Sequence, residues 1–113
     1  MTRIDKLMNI AKEAGIVLSN ELKDIYYSAF LFGSVSKRCI KEDSDIDILL
    51  IGKEVKNRKL MCKISEILED ICMEPEINVT YISKKKYEEF LNNKNSNAFL
   101  RSIENDLIRL EDL

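Results

Sequence analysis

Between residues 2 and 14 the apolar side chains Ile4, Leu7, Met8, Ala11 and Ala14 recur at the three-and-four spacing of one helix face. Thr2 stands where an N-cap belongs and Gly15 where a helix stops, so the pattern predicts an amphipathic helix between them. Residues 19–25 allow a second short helical turn. Residues 26–32 then form an aromatic, almost wholly apolar run that ends at Gly33-Ser34 and predicts a buried strand. A polar loop, 37–44, leads to Asp45-Ile46-Asp47-Ile48-Leu49-Leu50-Ile51, a second strand bounded by Gly52. Across 57–73, Leu60, Met61, Ile64, Ile67, Leu68 and Ile71 share one face until Pro75 breaks the pattern, which predicts the clearest helix in the chain. Residues 77–82 read as a third strand, 84–91 as a short charged helix, 92–97 as a polar loop, and 98–113 as a helical stretch with a short extended end.

Strands alternating with helices predict an α/β (α+β) domain, a small mixed β-sheet with helices packed on it. Its functional edge should lie where the first strand ends at Gly33-Ser34 and the second begins at Asp45. With 113 residues, 45% apolar and 34% charged, the chain reads as one folded domain spanning 1–113. A chain of this size supports a genuine core but no deep, self-enclosed cavity, so a large substrate must sit on an open face.

Composition removes several kinds of chemistry. There is no histidine, which excludes Ser/His/Asp and Cys/His nucleophile systems and an imidazole base. Eighteen basic against twenty acidic residues give a net charge of −2, so no chain-wide attraction to nucleic acid is expected. The basic runs Lys53, Lys56, Arg58, Lys59 and Lys84-Lys85-Lys86 lack interleaved aromatics and have acids close by, as solvated helix faces do. Cys39, Cys62 and Cys72 are an odd, widely spaced set that reads as reduced thiols of a cytoplasmic protein. No signal-length apolar run and no membrane span is present in the sequence.

The candidate chemistry lies in two short motifs. Asp45 and Asp47 are two apart on a strand, so both carboxylates project from one face while Ile46, Ile48 and Leu50 point into the core. Two carboxylates so placed repel each other unless a divalent cation lies between them. Gly33-Ser34 ends the neighbouring strand and exposes backbone N–H groups and a hydroxyl where a phosphate can approach. Asp43, Asp45, Asp47 and Glu54 also occupy positions 1, 3, 5 and 12 of an EF-hand loop. Ile48 stands where that loop needs glycine, and the flanking pattern is strand, not helix, which disfavours calcium.

Leu31-Phe32-Gly33-Ser34, ten residues, then Asp45-Ile46-Asp47-Ile48 resembles the signature of the DNA polymerase beta-like nucleotidyltransferase superfamily. The length and order of the whole chain are similar to its smallest members, the minimal nucleotidyltransferases. The resemblance implies the polymerase beta-like fold, with ATP phosphates against Gly33 and Ser34 and Mg2+ held by Asp45 and Asp47. It implies in-line attack on the α-phosphorus with pyrophosphate leaving. The family's third acid comes from the next strand, here Glu76-Ile77-Asn78-Val79-Thr80-Tyr81, where alignment puts Asn78 at the expected place and Glu76 two residues earlier on the same face. Asparagine can orient a ligand through its carbonyl but cannot take a proton. Where relatives often read Gly-Ser-x-Ala-Arg-Gly, this chain has Gly33-Ser34-Val35-Ser36-Lys37-Arg38, so Lys37 becomes the candidate phosphate cation and Arg38 replaces a glycine.

Many minimal nucleotidyltransferases resemble the antitoxin of a pair whose partner is a helical HEPN-domain ribonuclease. The resemblance therefore implies a hetero- or homo-oligomer in which AMP is transferred to a partner hydroxyl, tyrosine in the first instance. Two other outcomes fit the same motifs. One is a catalytically weak or inactive nucleotide-binding subunit that neutralises a partner by binding, and the other is a small-molecule transferase of the antibiotic-modifying type.

Overall fold

The structure is a computed structural model and describes residues 2–41 and 43–113. The polar loop 37–44 is therefore described apart from Glu42, and the Met1 start of the chain lies outside the described residues. Helix α1 (Arg3–Glu21) opens with a capping box in which Thr2 and Asp5 bond each other's backbone N–H. Both Thr2 bonds favour the ionised Asp5 and hold its carboxyl below the usual carboxylate range. The helix does not stop at Gly15. It runs on into the expected second turn, as far as Glu21, and Gly15 is buried against Leu110, whose Cβ would lie 2.8 Å from a side-chain carbon added at that glycine. Gly15 thus permits a close approach of two chain segments and is no stop signal.

Strand β1 (Tyr26–Phe32) leads into a single helical turn, α2 (Gly33–Ser36), and then to β2 (Ile46–Gly52). Helix α3 (Arg58–Ile71) is capped by Asn57, whose side chain accepts from the Leu60 N–H. It is followed by β3 (Ile77–Ser83), α4 (Lys84–Asn92) capped by Ser83, and α5 (Ala98–Ile103) capped by Asn97. Of the stretch 98–113 only α5 keeps the expected α-helix, and the expected short extended end is a strand in the last ten residues. After α5 come a 3-10 turn (Glu104–Asp106), a two-residue strand β4 (Ile108–Arg109) and a second 3-10 turn (Leu110–Asp112).

The sheet runs β3-β2-β1-β4, with β2 parallel to β3 and antiparallel to β1, and β4 antiparallel to β1. It is mixed, as expected, and has a fourth strand. It also has two cores instead of one. Ala29, Leu31, Ile46, Ile48 and Leu50 face α1 and α3, whereas Phe30, Leu49, Ile51 and Ile82 face Phe90, Leu100 and Ile103 on α4 and α5. Burial on both faces explains why β1 and the body of β2 read as unbroken apolar runs. Polar residues interrupt β2 only at its head, where the second helical layer leaves the sheet open.

Candidate active site

Antiparallel pairing brings the end of β1 against the head of β2, with Phe32 opposite Asp47. Parallel pairing sets Asn78 of β3 on the other side of Asp47. Three neighbouring strands therefore deliver Gly33, Asp47 and Asn78 to one corner, with Asp45 just upstream. The Asn78 amide donates to Asp45 Oδ2 over a long 3.4 Å, and Asp45 and Asp47 are both half-buried. Burial pushes the Asp47 carboxyl up, its bond with Asn78 opposes the shift, and the charge of Asp45 adds to it. The two acids thus share one small volume, as their spacing along the strand required.

Gly33 is the other wall. Its φ of +77° lies in the left-handed region, and a Cβ added there would fall 2.5 Å from Asp47 Oδ2. The carboxylate occupies the space that any other residue at 33 would fill. The turn after it ends in a Schellman motif: the Cys39 N–H donates to the Ser34 carbonyl over 2.9 Å and the Arg38 N–H to the Val35 carbonyl over 3.1 Å. Arg38 sits at the left-handed position of that motif, with φ +57°, where glycine costs least. Arg38 therefore holds, with a full side chain, a backbone conformation that favours glycine.

Lys37 forms an ion pair with Asp106 over 3.4 Å, and the Ser36 hydroxyl donates to the Asp106 carbonyl. The C-terminal 3-10 turn thereby clasps the Gly33-Ser34 turn from outside. No local pattern announces this contact, because 70 residues separate Ser36 from Asp106. Glu76 immediately precedes β3 on the lip of the corner with an exposed side chain, and its carbonyl accepts from the Ile46 N–H over 3.0 Å. A groove of about 620 Å³ on the α1 side sets Arg3 and Lys6 near Asp43 and Asp45, a proximity also invisible in the linear order.

Among the described residues no three Asp, Glu, Cys or His side chains converge as a metal site, so Glu76 does not complete a carboxylate triad. The EF-hand arrangement is ruled out by β2 itself, which carries Glu54 past its far end while Asp45 and Asp47 stay at its head. The donor set at the corner is two carboxylates plus an amide whose rotation presents its oxygen. Crowded carboxylates and hard oxygen donors suit a divalent cation of the magnesium type.

Residues 16–100 match the family model described as "Polymerase beta, Nucleotidyltransferase". A Methanocaldococcus jannaschii protein named "putative protein adenylyltransferase" is 32% identical over 81 residues, covering 72% of this chain and 82% of that one. The crystal structure of a "putative nucleotidyltransferase" from Sulfolobus solfataricus superposes with a TM-score of 0.54 at 16% identity, covering 76% of this chain and 75% of that one, a likeness of fold. Strand, glycine turn and acidic strand head coincide with a match over most of the chain's length, and the chain belongs to the polymerase beta nucleotidyltransferase family.

Proposed function

We propose that this nucleotidyltransferase moves AMP from ATP to a hydroxyl on a protein partner of the HEPN type, with Mg2+ bound by Asp45 and Asp47, and so silences that partner. The observation that carries the reading is the packing of the Asp47 carboxylate against Gly33 with Asn78 in register beside it. The name of the M. jannaschii relative supports AMP as the group and protein as the acceptor. Gly33 and Ser34 receive the triphosphate, and the anchoring of the following Ser36 and Lys37 to Asp106 keeps the phosphates in one pose. The acceptor oxygen bonds to the α-phosphorus, the bond from that phosphorus to the bridging oxygen breaks, and pyrophosphate carries away the electron pair. Asn78 has no basic oxygen, so the hydroxyl proton leaves by way of Asp47 to solvent. Bound magnesium would supply the positive charge that offsets the developing charge on the phosphoryl oxygens.

Asn78 favours a second reading, in which the protein binds nucleotide and partner but turns over poorly. Labelled ATP, magnesium and a co-purified partner separate the two. Transfer of label that is lost in Asp47→Asn and raised in Asn78→Asp supports the enzyme. Tight association without transfer, unlocked only by Asn78→Asp, supports the binding subunit.

A further inference from the structure

The β3 strand is an outer strand of the sheet, so one row of its backbone N–H and C=O groups has no strand beside it. Along its first half, next to Asn78, that edge borders an open groove of about 470 Å³ whose other wall is the face of α3 from Met61 to Glu69. The floor is apolar, from Met61, Ile64 and Leu68, and Met73 at its end is 80% exposed. The described residues lining it include two carboxylates, Glu69 and Glu76, and no lysine or arginine. Beyond Asn78 lie the further negative charges of Asp45 and Asp47.

We propose that this groove is where the acceptor protein docks, by laying a basic, extended segment along β3 as an added strand. The inference rests on the transferase reading and names the partner's surface chemistry. Strand addition takes its affinity from main-chain hydrogen bonds and its selectivity from alternate side chains. Here one side of the added strand fills the Met61, Ile64 and Met73 floor, and its lysines or arginines meet Glu69 and Glu76. Acidic segments are rejected by the same carboxylates. The groove runs into the corner at Asn78, so a segment seated in it carries its hydroxyl to the nucleotide.

The test is binding without nucleotide, read by fluorescence anisotropy of a labelled peptide that alternates valine with lysine or arginine around one tyrosine. Its controls are the same peptide with glutamate for each basic residue and one N-methylated on alternate amides. The expected result is saturable binding of the basic peptide, weakened by about tenfold or more for either control and in Glu69→Lys. Glu69 and Met73 are surface residues, so Glu69→Lys and Met73→Lys are each checked for an unchanged melting temperature. Asp47→Asn should keep the binding while losing label transfer, which makes failure of the groove distinguishable from failure of the chemistry. Equal binding of basic and acidic peptides, or binding indifferent to both Glu69→Lys and Met73→Lys, overturns the proposal. So does a dimer of this chain in sedimentation that Glu69→Lys dissociates, because a second copy then owns the edge.

Discussion

Asp47 bears a conflict between stability and chemistry. Its carboxyl titrates higher in the folded chain than its ordinary value of 3.8, chiefly through burial. Ionisation is therefore penalised by folding: the penalty is absent below about pH 3.8, where both states are protonated, and grows to its full size as pH rises through the folded value. Asp47→Asn should raise the melting temperature at pH 7 by about 2–5 °C, with the gain vanishing in a scan at pH 3 while label transfer is lost at every pH. Arg38 poses a simpler case. Its left-handed backbone with a full side chain costs about 1 kcal/mol or more, so Arg38→Gly should stabilise by about 0.5–1 kcal/mol in urea unfolding. An unchanged midpoint would mean that the contact of the Arg38 guanidinium with Met8 Sδ, at 3.8 Å, offsets the strain. The acidic pair and the glycine turn were legible in the sequence because both are encoded within a few neighbouring positions. The partner of Lys37 was not, since an ion pair across the fold leaves no local pattern.

Among the elements, those read correctly are the ones whose own periodicity decides them. The strands β1, β2 and β3 and the helices α3 and α4 fall within a residue or two of their expected limits, each fixed by an apolar pattern plus a cap or a proline. The errors share one cause. The ending assigned to Gly15 failed, and the helix assigned to the C-terminal stretch stops at α5, because residues around Gly15 and Leu110 pack on each other. Leu110, 1% exposed, is the side chain that seals them. Leu110→Ala should lower stability by about 2–4 kcal/mol, seen as a reduced urea midpoint at an unchanged slope. Gly15→Ala should also destabilise, because its new methyl meets Leu110 Cβ, which truncation to alanine retains. Combining the two variants therefore gives no rescue, and a rescued double variant would show that the helix shifts to make room.

Over the whole molecule, charge is sorted in a way that a net of −2 conceals. The basic residues after Gly52 and those after Ser83 come together because these two strand ends pair, while Asp45, Asp47 and Glu76 gather at the opposite end of the same strands. Neither run marks a site by itself, and only the parallel register of β2 and β3 shows that they form one pole. The radius of gyration, 13.7 Å, is close to the roughly 13 Å expected for a chain of this length, so the sheet has no loosely attached appendage among its described residues. The order of the strands sets how easily each part of the corner opens. Asp47 belongs to an inner strand locked by ladders on both sides, whereas Asn78 belongs to an outer one held on a single side. Amide protons along β2 should therefore be among the slowest in the protein to exchange with deuterium, and those on the free side of β3 among the fastest. Occupation of the groove by a second strand would slow that one row and leave β2 unchanged, so a single deuteration profile reports whether the outer strand has found its neighbour.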